Sequence, residues 1–180
     1  MQLLSLVMSA VMAIAAPIGD APAPSLVSDL HRALMAPDRR VRAKDTRVSA
    51  ALLDGIRRSR TFADLVAALE RSDVIAYIEL APDLPTTTQG RLALVSKSRD
   101  HRYVRIQVQA FLALDHTISI IGHELQHALE IAGAPNVYDE STMRKFYERI
   151  GVGRTAMHEF DTEAARIAGD RVRLELRRAS

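Results

Sequence analysis

The stretch DHTISIIGHELQHALEIA, Asp115 to Ala132, decides how the rest of the chain is read. It reads as an amphipathic helix that Asp115 caps and Gly133-Ala134-Pro135-Asn136 stops. His123 and His127 stand four apart, so a helix carries both imidazoles on one face, where both can reach one metal ion. Glu124 follows His123 directly, and an acid there can take a proton from water and return it to a leaving group. Zinc, Zn2+, suits this donor set and lowers the pKa of water enough to give a nucleophile at neutral pH.

Upstream of this helix the period changes from helical to alternating. Val74 to Leu80, Arg91 to Lys97 and Tyr103 to Gln109 read as three strands. In the last, Val104, Ile106 and Val108 point one way and Tyr103, Arg105, Gln107 and Gln109 the other. Ser98 to Arg102 is a short polar connection, so the last two strands should form an antiparallel hairpin. Tyr103–Gln109 reads as an edge strand able to hold an extended peptide beside the motif helix. Before the strands, Thr46 is expected to cap a helix to about Arg58, and Thr61-Phe62-Ala63-Asp64 to open another. Downstream, Ser141 to Ile150 and about Phe160 to Arg178 read as helices. The fold class is therefore α+β, a small three-stranded, partly antiparallel sheet packed against helices.

Residues 1–16 contain no charged side chain, and Ala13-Ile14-Ala15 offers a small-x-small cleavage pattern before Pro17. They read as a signal peptide, which implies an exported, periplasmic or secreted protein; a membrane partner is expected only if this segment stays uncleaved. Residues 17–45 read as linker and N-terminal segment, with Ser25 to Met35 as a short helix, and 46–180 as one domain. Arg39 to Lys44 is basic and reads as a solvated loop, with a polyanion-binding arm as a lesser reading. The charge balance, 24 basic against 22 acidic residues, argues against a nucleic-acid partner. Apolar residues make up 48% of the chain, enough for a core, and the absence of cysteine excludes disulfides and thiolate ligands.

Two histidines need a third protein ligand, with water in the fourth position. Glu159, Asp161 and Glu163 are available on the last helix. If that helix starts near Phe160, Asp161 shares its face with Ala164, Ala165, Ala168 and Val172. A carboxylate aimed inward from an apolar stripe needs a partner, and a metal would be one, so Asp161 is the first choice and Glu163 the second. The small residues beside Asp161 would also let two helices approach closely. Tyr138, Tyr147 and His158 are candidate oxyanion donors that spacing does not separate, and His31, His101 and His116 read as solvated.

His123-Glu124-Leu125-Gln126-His127, followed by Phe160-Asp161-Thr162-Glu163-Ala164-Ala165, resembles the gluzincin HExxH zinc metallopeptidases, in particular the single-domain minigluzincins, and small exported bacterial HExxH proteins of unassigned function. The resemblance implies a zincin-like domain, zinc held by His123, His127 and Asp161, Glu124 as general base, and a peptide or protein substrate. It departs from that family's Glu-x-x-Ala-Asp pattern twice: Asp161 replaces the Glu ligand, and Ala165 replaces the Asp that orients a histidine. A non-catalytic zincin-fold binding or structural protein is the alternative expectation.

Overall fold

Strict alternation makes Arg102–Gln109 a strand, and in the computed structural model, which describes residues 38–152 and 161–179, that strand lies inside the sheet. The elements run β1 (Val41–Ala43), α1 (Thr46–Arg58), α2 (Arg60–Glu70), β2 (Val74–Ala81), β3 (Gly90–Lys97), β4 (Arg102–Gln109), α3 (Leu114–Ala132), α4 (Glu140–Ile150) and α5 (Glu163–Arg178). The fold is α+β as expected, but the sheet has four strands, not three, in the order β1-β2-β4-β3. β1 and β2 are parallel, as are β2 and β4; β3 and β4 form the expected antiparallel hairpin.

Two expectations are corrected by this order. The fourth strand, Val41–Ala43, lies within the basic segment read as a loop. Its two apolar residues turn into the core, while Arg39 pairs with Glu70, Lys44 with Glu79, and Arg42 donates to the Tyr77 hydroxyl. These pairings absorb charges otherwise available to a polyanion. Second, Tyr103–Gln109 is not an edge strand. Val104, Ile106 and Val108 are fully buried and β4 is paired on both sides; the edge beside it is β3. Alternation reports which face a residue takes, not how many neighbours a strand has.

α3 lies across β2, β3 and β4, with α5 behind it. It is buried on more than one side, as a helix between two layers must be. Ile118, Ile121, Leu125, Ala128 and Ile131 are fully buried, and so nearly are Ser119, Gly122, Glu124 and His127. The approach of α5 is close because the facing residues are small. A Cβ added to Gly169 would lie 3.2 Å from His123 Cβ, and one added to Gly122 would lie 2.9 Å from Val172 Cγ2. Ser119 Oγ donates to the Gly169 carbonyl at 3.1 Å across the contact.

The far end of α3 is held by Arg102, which is 3% exposed. Its guanidinium forks onto Asp73 at 2.7 and 2.8 Å and donates to the carbonyls of Ile131, Ala132, Ala134 and Val137. One planar cation thus satisfies the orphan carbonyls at the C-terminus of α3 and fastens them to the start of β4. At the other end Arg58 binds Asp115 at 2.7 and 3.1 Å.

The helix starts differ from the sequence reading by a residue or more. Asp45 rather than Thr46 caps α1, and Ser59 caps α2, leaving Asp64 exposed in an ion pair with Arg60. Asp115 lies in the first turn of α3, whose cap position, Ala113, makes no side-chain bond. Asp139 and Thr142 form a reciprocal capping box on α4. Among the described residues no helix is long and apolar enough to cross a membrane. The leader, the helix read over Ser25 to Met35, His31, His158 and Glu159 lie outside the described residues.

Removing the Arg102 fork takes a donor from the carbonyls of Ala132 and Val137 and the guanidinium from Asp73, while the Ile131 and Ala134 carbonyls keep backbone partners. Arg102→Met is expected to destabilise the protein by on the order of 3 kcal/mol, and Arg102→Lys to recover little of it, since an ammonium cannot reproduce the fork; urea unfolding of both variants measures this. Acid should also unfold the chain. Hydrogen bonds from Arg102 and Lys44 hold the Asp73 and Glu79 carboxyls below their ordinary values of 3.8 and 4.5. Burial pushes the Glu175 carboxyl up, but bonds from the Ser59 hydroxyl and from the Thr61 amide and hydroxyl outweigh it, and its net shift is downward. Groups depressed in the folded state stabilise it fully above their unfolded values and lose that contribution as pH falls through the folded ones. Glu175→Gln should therefore cost stability near neutral pH, and its deficit against wild type should close below about pH 4 in thermal unfolding.

Candidate metal centre

His123 and His127 project from one face of α3 with ring centroids 4.9 Å apart and planes at 76°. Their Nε2 atoms are 3.2 Å apart, and His123 Nε2 is 3.5 Å from Asp161 Oδ1. One donor atom from each of the three residues lies within 4.8 Å of the other two, so the group can hold a metal ion.

The fit to a small cation rests on two observations. Zinc bonds of 2.0–2.1 Å arranged tetrahedrally place neighbouring donor atoms about 3.3 Å apart, between the 3.2 Å and 3.5 Å that separate His123 Nε2 from its two neighbours. Asp161 Oδ1 is buried and has no hydrogen-bond partner among the described residues. An orphaned buried acceptor costs roughly 1–3 kcal/mol, more when charged, and a cation between it and the imidazoles would offset that cost.

Asp161 arrives by a route other than the one the sequence suggested. α5 begins at Glu163, not near Phe160, because the Thr162 hydroxyl accepts from the Ala165 amide and caps it. Asp161 therefore precedes the helix and is not part of its apolar stripe, which consists of Ala165, Ala168, Val172 and Leu176. Its backbone is fixed by a 2.8 Å bond from the Val152 amide to its carbonyl. The chain there runs so close that a Cβ on Gly151 would lie 3.3 Å from that carbonyl. An Asp ahead of the helix reaches the histidines without the longer arm of a Glu on it. Glu163 is exposed in the first turn of α5 and is not one of the three converging residues.

Glu124 is 5% exposed and faces the start of the edge strand: a Cβ built on Gly90 would lie 2.5 Å from Glu124 Oε1. Burial, with the charges of Asp161 and Glu130, pushes its carboxyl up to about 7 against the pull of His127. His123 is pushed down to about 4, first by burial and then by His127, so its lone pair is free at neutral pH. Burial opposes charge on His127 as well, but the Glu130 hydrogen bond and the surrounding carboxylates outweigh it and raise its pKa. A dication favours neutral imidazole, so its uptake displaces a proton here.

Sequence reasoning missed Glu130 and Thr162. Glu130 Oε2 lies 2.9 Å from His127 Nδ1, and Thr162 Oγ1 donates to Glu130 Oε1 at 2.6 Å. The spacing of three from His127 on a helix was the available signal. The main chain of Ala165, where the family's orienting Asp would stand, raises the His123 pKa slightly against the larger effects of burial and His127. Of the candidate oxyanion donors, Tyr147 is buried with its ring edge-on to His127 and its hydroxyl bonded to the His127 carbonyl. Tyr138 lies over the Lys97 ammonium at 5.3 Å. His116 bonds Gln89 at 3.1 Å, and His101 lies beside Tyr103.

No family model, curated protein or solved structure matches the chain.

A cation held by the folded state alone must stabilise it. Zinc at about a hundred times its dissociation constant should raise stability by about 2.7 kcal/mol. The gain should vanish in His123→Ala, and should be smaller at pH 6 than at pH 8 because the raised His127 then keeps its proton; thermal unfolding with and without zinc reads both.

Proposed function

We propose that the chain is a zinc-dependent hydrolase acting on peptides or unfolded protein, in the manner of the gluzincin-type metallopeptidases its motif resembles. The observation that carries this reading is the buried Glu124 carboxyl, beside the start of an edge strand and next in sequence to one of three convergent metal donors. His123, His127 and Asp161 would hold the ion, which supplies Lewis acidity and makes water acidic enough to attack at neutral pH. Glu124 takes the proton from that water and delivers it to the leaving amine, a task suited to a carboxyl poised near neutrality.

The edge strand aligns the substrate. Among the described residues β3 pairs only with β4, so its other side can add an extended peptide as a further strand. Gly90 matters because any side chain there would collide with the Glu124 carboxyl and Ile120 and displace them. An exported location follows from reading residues 1–16 as a leader, and membrane attachment only if that leader is kept.

The test is cleavage of an unfolded protein substrate with and without a chelator. Glu124→Gln should keep zinc and lose cleavage by at least about a hundredfold. Gly90→Val should reduce cleavage while leaving zinc content unchanged. Cleavage retained in Glu124→Gln refutes the mechanism, and zinc bound by wild type without any chelator-sensitive cleavage favours a non-catalytic, metal-binding role.

A further inference from the structure

Glu130 and Thr162 lie outside the three donors, yet touch both halves of the site. Glu130 sits one turn beyond His127 on α3, with its side chain 11% exposed. Thr162 follows Asp161 at the start of α5 and is 3% exposed. The hydroxyl of Thr162 has one proton and two neighbours. The Ala165 amide at 3.1 Å can only donate, so the hydroxyl accepts there and its own proton is left for Glu130 Oε1 at 2.6 Å. The other Glu130 oxygen lies 2.9 Å from His127 Nδ1, and the Tyr147 hydroxyl is a further partner of this carboxylate.

We propose that Thr162 and Glu130 form a positioning relay that couples the segment carrying Asp161 to the tautomer and orientation of His127. A carboxylate on Nδ1 keeps the proton there and leaves the Nε2 lone pair facing His123 and Asp161. The same carboxylate is tied to Thr162 through its other oxygen. A helix cap alone needs only an acceptor. Thr162 also donates, and its neighbour in sequence is the third ligand, so correct capping of α5 and correct presentation of both ligands occur together. This inference rests on the metal centre proposed above and not on hydrolysis.

Cobalt(II) added to the full chain provides the test, through competition with a chromophoric chelator and through the visible absorption of the bound ion. Glu130→Gln should weaken cobalt binding by about 10- to 100-fold and shift its visible bands. Thr162→Val should weaken it by about tenfold, and Thr162→Ser, which keeps both hydrogen bonds, should restore affinity and spectrum. Unchanged affinity and bands in Glu130→Gln overturn the relay, as does a Ser variant no better than Val. The metal-free wild type gives an independent reading even if a variant does not fold: at a pH alkaline enough for the ring to be neutral, nitrogen NMR should find the His127 proton on Nδ1. A neutral ring protonated on Nε2 overturns the relay. Failure of wild type to take up cobalt or zinc would instead refute the metal centre, leaving the tautomer to decide the relay.

Discussion

The close approach of α5 to α3 is the constraint on which the rest depends. Ser119, Gly122 and His123 on one helix meet Ala165, Gly169 and Val172 on the other with almost no side-chain volume between them. Such a contact gains little from buried apolar area per residue, but it admits only one relative placement, because close-packed interiors do not deform continuously. That placement carries Asp161, which precedes the Thr162 cap of α5, to within reach of an imidazole on α3. Larger residues at Gly169 or Gly122 would separate the helices and the ligands with them.

The centre is also unusual in its charge. Glu124, Glu130 and Asp161 surround two histidines, of which His123 is kept neutral by burial. Buried charges of one sign are stable only with compensation. Part is local, through the hydrogen bonds to Glu130, and part is the upward shift of Glu124 itself. Asp161 Oδ1 is buried without a hydrogen-bond partner among the described residues, so a dication would relieve this site more than it would an ordinary pair of surface histidines.

What was legible in the sequence depended on the length of the pattern involved. The motif helix, with nineteen residues, shows its period plainly, and His123, Glu124 and His127 followed from it. The eight-residue strands showed theirs, and with them the β3–β4 hairpin. β1 has three residues inside a basic run, too few to display alternation. The neighbours of β4 were not legible, because a parallel partner reached through a crossover leaves no local mark. Asp161 was chosen on the premise of a longer α5. The residue was placed with the histidines all the same, but by the Thr162 cap and the Val152 bond, both of which depend on contacts distant in sequence or on a cap that competed with others nearby. Arg102 gave no signal at all, since nothing in a strand's pattern announces that its first side chain will close a helix 29 residues away.

The irregular register between Leu94 and Ser96 on β3 bears on the molecule's behaviour among its own copies. An exposed ribbon edge is a template for runaway self-association, since identical edges can zip together without end. Here the ladder keeps step from Gly90 to Leu94 and then slips, so a long straight ribbon laid against it falls out of phase partway along. If β3 takes up a peptide as proposed, the Gly90–Leu94 stretch beside Glu124 is the part that offers it an unbroken ladder.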